Sequence, residues 1–264
     1  MSAKPQKAYK NLKFINSPEA RIIRILSEFI EPKSRFDKYR IENAIVFFGS
    51  ARLQSTKAVN KALKGKNLSA AERDQLLRLK KLAPYYDHAF DLAEKLTEWS
   101  QKEYPGQYAF PVMTGGGPGI MEAANKGASQ VPHSVNIGLN ISLPFEQDSN
   151  SHITDELNFE FHYFFTRKYW FLEMARVLVV FPGGFGTMDE LFELLTLVQT
   201  QKTDKEVKII LFGKKFWREI IHFDKMVDYG LISARDLELF EIVDSPDEAQ
   251  QSITRFLQQI DTTP

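Results

Sequence analysis

Apolar residues fall along this chain in two rhythms. Short unbroken runs such as 43–50, Asn43-Ala44-Ile45-Val46-Phe47-Phe48-Gly49-Ser50, alternate with longer stretches in which apolar positions recur every three or four residues. A short apolar run closed by glycine reads as a strand buried on both faces, and the slower rhythm reads as a helix with one face turned inward. On this reading strands occupy 43–50, 108–114, 134–143, 157–163, 176–181 and 207–212, with a last edge strand at 240–243. Helices fill 118–129, 164–175, 187–200, 214–229 and 246–260, and Pro84 opens a further helix that runs to Tyr104. Strands alternating with helices of this length imply βαβ units, hence a parallel sheet covered on both faces by right-handed crossovers. The expected fold class is α/β, a Rossmann-like doubly wound sheet with N-terminal helical additions.

Those additions occupy 1–42, ahead of a Rossmann-like domain at 43–264. Within them Ser17-Pro18-Glu19 reads as an N-cap with Pro at the first helical position, and Ile22, Ile23, Leu26, Phe29 and Ile30 follow at helical spacing through Glu31. From 53 to 83 the chain turns basic (Lys57, Lys61, Lys64, Lys66, Arg73, Arg78, Lys80, Lys81), with a capped helix start at Leu68-Ser69-Ala70-Ala71-Glu72. A solvated helical excursion explains this stretch, and an anionic-ligand or partner surface is the alternative. No internal repeat or flexible linker divides the remainder.

Composition narrows the function classes. The 34 basic and 34 acidic residues cancel, which removes the global basic field expected of a nucleic-acid binder. The absence of cysteine excludes disulfides, thiolate zinc sites and thiol nucleophiles, and fits a reducing compartment. Residues 1–13 are polar and lysine-rich, unlike a signal peptide, and no apolar run approaches the ~20 residues of a membrane span. A cytoplasmic location, with no membrane partner, is expected.

In open parallel sheets ligands bind beyond the carboxyl ends of the strands, so the strand-to-helix turns carry the chemistry. Three turns stand out: Phe48-Gly49-Ser50-Ala51-Arg52, Thr114-Gly115-Gly116-Gly117-Pro118-Gly119-Ile120-Met121-Glu122, and Pro182-Gly183-Gly184-Phe185-Gly186-Thr187-Met188-Asp189-Glu190. Glycines permit positive φ and close approach to an anion, and the following helix N-terminus supplies free N–H groups and partial positive charge. In the third turn Gly183, Gly184 and Gly186 form a phosphate loop and Thr187 adds a hydroxyl. A tight turn that caps a helix uses similar residues, but two such turns in one sheet favour the ligand reading. Neither a G-x-G-x-x-G fingerprint nor a G-x-x-x-x-G-K-[ST] loop is present, which counts against hydride transfer on a dinucleotide and against P-loop chemistry.

Charged residues gather at the same edge. Arg167 and Lys168 start the helix that feeds the 176–181 strand, where cations oppose the helix dipole, so a phosphate or substrate contact is expected for Arg167, with a surface ion pair as the alternative. Glu190 lies one turn into the helix opened by Gly186-Thr187. A carboxylate there stabilises the dipole in any case, but beside a sugar carbon it would also stabilise the oxocarbenium character of N-glycosidic cleavage and orient water. Asp189 points elsewhere on the helix and is the weaker candidate. Glu122 suits a ribose-hydroxyl contact or a dipole role equally. His88, His133, His152, His162 and His222 form no ligand pair, so no metal is expected. The run His162-Tyr163-Phe164-Phe165 reads as core packing, with base stacking as the alternative.

Gly115-Gly116-Gly117-Pro118-Gly119-Ile120-Met121-Glu122-Ala123-Ala124, then Arg167-Lys168, then P-G-G-x-G-T-x-x-E from Pro182 to Glu190 resemble the LOG (Lonely Guy) family over about 45–243. The resemblance implies hydrolysis of nucleoside 5′-monophosphates, either AMP-like or cytokinin ribosides, to free base and ribose 5-phosphate, with no cofactor. It implies that Arg167 and Glu190 are the catalytic pair, that Gly183, Gly184, Gly186 and Thr187 hold phosphate, and that Ser50 makes a further nucleotide contact. It also implies a homodimer or larger assembly, and the aromatic-rich segment 159–171 is the expected contact. Two other readings stand beside it. One is a Rossmann-like nucleotide binder without turnover. The other is the pyridoxal-dependent lysine decarboxylase of the family's frequent label, disfavoured because no lysine sits at a recognisable Schiff-base site.

Overall fold

A computed structural model describes residues 5–65, 67–143, 148–203 and 205–261; Lys66 of the basic stretch lies outside them. Its strands are β1 (Ala44–Phe48), β2 (Val112–Thr114), β3 (Asn136–Ile141), β4 (Asn158–Phe161), β5 (Ala175–Val180), β6 (Lys208–Phe212) and β7 (Glu241–Val243). They form one sheet in the order β4-β3-β2-β1-β5-β6-β7, and every pairing is parallel. The α/β, Rossmann-like doubly wound fold is therefore the one the sequence pattern implies. The helices are α1 (Leu12–Ile15), α2 (Arg21–Tyr39), α3 (Thr56–Leu63), α4 (Ala70–Glu103), α5 (Ile120–Ala128), α6 (Phe164–Met174), α7 (Phe185–Gln199), α8 (Lys214–Ile220), α9 (Phe223–Asp228) and α10 (Pro246–Asp261).

Alternation along the central strands divides the interior into two cores. Val46 and Phe48 of β1, Leu178 and Val180 of β5, and Ile209 and Leu211 of β6 face a cluster completed by Phe36, Trp170, Phe171, Leu191 and Trp217. Ile45, Phe47, Val177, Val179, Ile210 and Phe212 face the opposite cluster, with Leu92, Leu96, Ala123, Ile253 and Leu257. A side-chain period of two sends neighbours to opposite faces, and helices on both sides exclude water from each. Phe181, at the end of β5, stacks on Phe212 with centroids 4.5 Å apart and on Phe47 at 6.2 Å. Burial of each ring contributes roughly 1.5–3 kcal/mol and fixes the point from which the third glycine turn departs.

Several elements differ from the sequence reading. Pro84 lies inside α4 instead of opening a helix, so one helix continues from the Ser69–Glu72 capping box to Glu103. Proline removes one helical hydrogen bond, but Ala83 is buried just before it and Tyr86, Ala89, Leu92, Ala93 and Leu96 on the following turns, and these hold the axis. The expected helix at 214–229 is two, broken at Ile221 (φ −130°) because buried Trp217 anchors α8 through Nε1–H to the Phe212 carbonyl (3.1 Å) while Phe223 packs on Phe240 (4.6 Å). Ser17 caps only a 3₁₀ turn, Pro18–Ala20, without a side-chain bond, and α2 starts at Arg21 and runs through Pro32. Its predicted apolar stripe is largely outward: Ile22, Ile23, Leu26 and Ile30 are exposed, and Phe36 and Pro32 are the buried residues. Among the described residues no helix is long and apolar enough to cross a membrane.

Candidate active site

The strand order reverses between β1 and β5, and a crevice opens at such a switch point beyond the carboxyl ends of the strands. Three turns meet there, after β1, β2 and β5, and they interlock through the backbone. Phe181 N–H donates to the Phe48 carbonyl (2.8 Å), Ser50 N–H to the Pro182 carbonyl (3.0 Å), and Ile120 N–H to the Ser50 carbonyl (3.1 Å). Ser50 thus joins the first turn to both others, and its Oγ accepts from Arg52 N–H at 3.1 Å. Gly119 is required for this contact: its φ is +74°, and a Cβ would lie 2.2 Å from the Ser50 carbonyl oxygen.

The cleft so formed has a volume of about 680 Å³ and is lined by the first turn, by Gly115, and by the third turn from Gly183 to Met188, with Arg167 and Glu190 in its wall. The glycines of the third turn do not have positive φ, contrary to one of the two reasons for expecting them there. Gly183 is small because a Cβ would fall 2.1 Å from Thr187 Oγ1. Gly184 and Gly186 are different, since a Cβ on either would meet nothing within 4 Å. Neither packing nor a positive φ demands glycine at these two positions, and open space lies beside both. Helix α7 starts there with Gly184 at the N-cap, no side-chain cap and no acidic residue in its first turn. Its free N–H groups and positive dipole end therefore open onto the cleft.

Glu190 projects from the first turns of α7 and Arg167 from the first turn of α6. Their closest atoms, Arg167 Nη2 and Glu190 Oε1, are 3.7 Å apart, with side chains 14% and 5% exposed. Glu190 Oε2 and Arg167 Nε are both buried without a hydrogen-bond partner. Burial raises the Glu190 pKa to about 7, opposed by the charges of Arg167 and Lys168 and assisted by Asp189 and Glu193. Burial also pulls the Arg167 pKa down while Glu190 and Asp189 oppose it, and the guanidinium stays protonated between the rings of Phe164 (5.3 Å) and Phe171 (5.6 Å). A buried carboxylate that titrates near neutrality beside a guanidinium whose Nε has no hydrogen-bond partner can accept a proton from water, bind a hydroxyl, or face a developing positive charge.

Of the other residues singled out in the sequence, Gly49, Ser50, Gly115 and Thr187 line the same cleft. Lys168 is not in its wall, being paired with Asp189 (2.8 Å) and Glu193 (2.6 Å). Gly116 and Gly117 turn away, and their carbonyls accept from Asn150 Nδ2 (3.1 and 3.2 Å). Glu122 lies outside the lining, and its charge bears on Tyr86 and His152. The run at 162–165 is not core: Phe164 and Phe165 are 53% and 51% exposed, because α6 begins there at the surface. Phe171 and Ile220 line the cleft from outside the three turns and were not singled out in the sequence, and within the turns Phe48, Ala51, Arg52, Met121, Phe185 and Met188 line it without having been assigned a role. Arg52 had a signal, a cation two residues beyond Ser50 in a turn already suspected. Ile220 had none. Among the described residues no group of three or more acidic or histidine side chains is placed to hold a metal ion.

Fold and site together define a Rossmann-like α/β protein with a cleft at its switch point, an uncapped helix N-terminus at the rim and a buried carboxylate–guanidinium pair in the wall. The chain belongs to the LOG family, since the model of the family described as "Possible lysine decarboxylase" matches residues 121–253, half of its length. An 88-residue stretch is 28% identical to the "Probable cytokinin riboside 5'-monophosphate phosphoribohydrolase LOG4" of Oryza sativa subsp. japonica. That stretch covers 33% of this chain and 38% of the rice protein. Among solved structures, the molybdenum cofactor binding protein of Rippkaea orientalis is 15% identical over 81% of this chain and 95% of that one, with a TM-score of 0.48. The molybdenum cofactor carrier protein of Chlamydomonas reinhardtii is 15% identical over 82% of this chain and 99% of that one, with a TM-score of 0.46.

Proposed function

We propose that this protein is a hydrolase that cleaves the N-glycosidic bond of nucleoside 5′-monophosphates, releasing free base and ribose 5-phosphate without a metal or an organic cofactor. The observation that carries this reading is the pair Glu190 and Arg167, buried, 3.7 Å apart and each with an unbonded polar atom in the cleft wall. The 5′-phosphate lies against the α7 N-terminus in the space left by Gly184 and Gly186, with Thr187 and Ser50 close by. The ribose then reaches Glu190. As the bond from C1′ to the base breaks, its electron pair leaves with the base, which takes up a proton from solvent, balanced by the proton that Glu190 later returns to solvent. Water adds its oxygen to C1′ and gives a proton to Glu190, whose negative charge also stabilises the oxocarbenium character of the transition state. Arg167 holds the nucleotide and keeps part of the Glu190 population ionised at neutral pH. The resemblance of one third of the chain to a named phosphoribohydrolase supports the same reading.

The family description suggests another chemistry, amine decarboxylation on a pyridoxal cofactor. The residues present do not fit it: among the described residues no lysine lines the cleft, and Lys168, the nearest in sequence to Arg167, is held by two carboxylates. Incubation with AMP, CMP and a prenylated-adenine riboside monophosphate, followed by chromatography for free base, tests the proposal and ranks the bases. No base released from any of them would refute it.

The functional unit in this reading is a homodimer or a larger homo-oligomer. Phe159, Phe161, Trp170 and Phe171 of the aromatic segment are buried within the chain, whereas Phe164, Phe165 and Tyr169 are exposed, as are Ile22, Ile23, Leu26 and Ile30 of α2, the helix that packs on α6 through Phe29 and Tyr169. A surface this apolar favours association. Light scattering that finds a fully active monomer would remove this part of the proposal.

A further inference from the structure

Helix α6 carries Arg167 in its first turn, yet that turn contains no acidic residue and its N-cap, Tyr163, makes no side-chain cap bond. The acceptor comes from α2 instead. The half-buried Glu28 accepts at Oε1 from the backbone N–H of His162 (2.9 Å) and at Oε2 from the N–H of Tyr163 (3.4 Å). The Thr166 hydroxyl, next to Arg167, has one proton and lies within bonding reach of both Glu28 Oε2 and the Tyr163 carbonyl. The Glu28 carbonyl in turn accepts from Trp170 Nε1–H at 2.8 Å, one turn further along α6. One residue of the N-terminal extension therefore grips α6 at two successive turns. Its charge also sits at the end where Arg167 and Lys168 oppose the helix dipole.

We propose that Glu28 is a positioning residue: it fixes the first turn of α6 so that Arg167 stays opposite Glu190 in the cleft. The inference rests on the reading of Arg167 and Glu190 as the catalytic pair, and it gives the N-terminal extension a role in that site. The charges that face Glu190 are Arg167 and Lys168 from α6 and Asp189 and Glu193 from its own helix. Lys168 is held independently by Asp189 and Glu193, so Arg167 is the group whose place depends on the clamp. If the turn loosens, Arg167 withdraws, Glu190 loses the largest influence that favours its ionised form, and the carboxyl titrates higher. A residue that merely held α2 in place would not shift that titration.

Glu28→Ala and Glu28→Gln are compared in the full chain with Arg35→Ala. Arg35 ties α2 to the start of β4, donating to the carbonyls of Glu156 (3.1 Å) and Asn158 (3.2 Å) and lying over the Phe159 ring, so its loss loosens the same helix without removing a hydrogen bond to α6. The Glu190 titration is followed by carboxyl-carbon NMR without substrate, and kcat and KM for AMP are measured across the neutral pH range. Glu28→Ala should move the titration upward by about half a pH unit or more, carry the rising limb of the kcat profile with it, and lower kcat about tenfold or more. Glu28→Gln keeps an acceptor oxygen and should show a smaller shift in the same direction, which decides the matter if the alanine variant does not fold. Arg35→Ala should melt earlier yet keep the wild-type titration and kcat. A wild-type Glu190 titration in both Glu28 variants, or an equal shift in Arg35→Ala, would overturn the proposal. If the wild-type protein releases no base at all, the functional reading fails, while the substrate-free titration still decides whether Glu28 positions Arg167.

Discussion

Glu190→Gln separates a catalytic carboxylate from one that only complements a helix dipole, because the two roles predict stability changes of opposite sign. Burial raises the folded-state pKa of Glu190 from 4.5 to about 7. The unfolded chain therefore gives up this proton first, so the stability contributed by the group is complete below pH 4.5 and is lost as the pH rises through about 7. At about 1.4 kcal/mol per pKa unit the loss reaches about 3 kcal/mol at pH 8. Glutamine keeps the shape of the protonated acid and cannot ionise. The variant should then be more stable than the wild type at pH 8 by about 3 kcal/mol, or roughly 6–12 °C in Tm at ~2–4 °C per kcal/mol. The difference should close towards pH ~4.5. Turnover of AMP should fall about 100-fold or more while AMP binding is largely kept, the scale of losing a transition-state electrostatic group. In the wild type kcat/KM should rise about tenfold per pH unit below pH ~7 and level off above it. Melting curves at acidic and alkaline pH, read beside base release, provide the assay. A dipole role worth about 0.3–1 kcal/mol predicts that the variant melts slightly earlier at pH 8 and releases base at nearly the wild-type rate. That result would refute the reasoning.

Gly186→Ala should raise stability by up to about 1 kcal/mol, since alanine is the better helix former and nothing stands within 4 Å of the new methyl group, while raising KM for AMP about tenfold or more by intruding on the phosphate. An unchanged KM, with the stability gain, would show that this loop holds no ligand. Adenosine should be a poor substrate beside AMP, because binding energy at the phosphate positions the glycosidic bond; equal kcat/KM values would contradict the placement of the phosphate on α7. Arg167→Ala should weaken AMP binding and lower kcat together, checked by titration calorimetry and steady-state rates. A loss confined to either one would assign the guanidinium a single role.

The kinds of element and their alternation were legible in the sequence, because burial of β1 on both faces and the glycine chemistry of a strand-to-helix turn are written in a few consecutive residues. So were the three turns, and so were Arg167 and Glu190 as residues at the right edge of the sheet. The tertiary structure decided how these parts meet. Only the adjacency of β1 and β5 brings Ser50 against Pro182 and Arg167 to 3.7 Å from Glu190. Lys168, beside Arg167 in sequence and equally charged, is taken up by Asp189 and Glu193 instead, a choice set by the direction each side chain leaves α6. Gly116 has φ +74° and a Cβ there would lie 2.1 Å from Asn140 Oδ1, whereas Gly184 and Gly186 leave open space, although the three look alike as letters. Pro84 sits within a helix because the buried residues beyond it outweigh one lost hydrogen bond. In α2 the aliphatic residues that announced the helix face outward, and the start of α6 is held by a charged residue, Glu28. Periodicity reports that a face exists, but the partner that covers it is fixed by contacts between residues more than a hundred positions apart, and these have no signature in the local pattern.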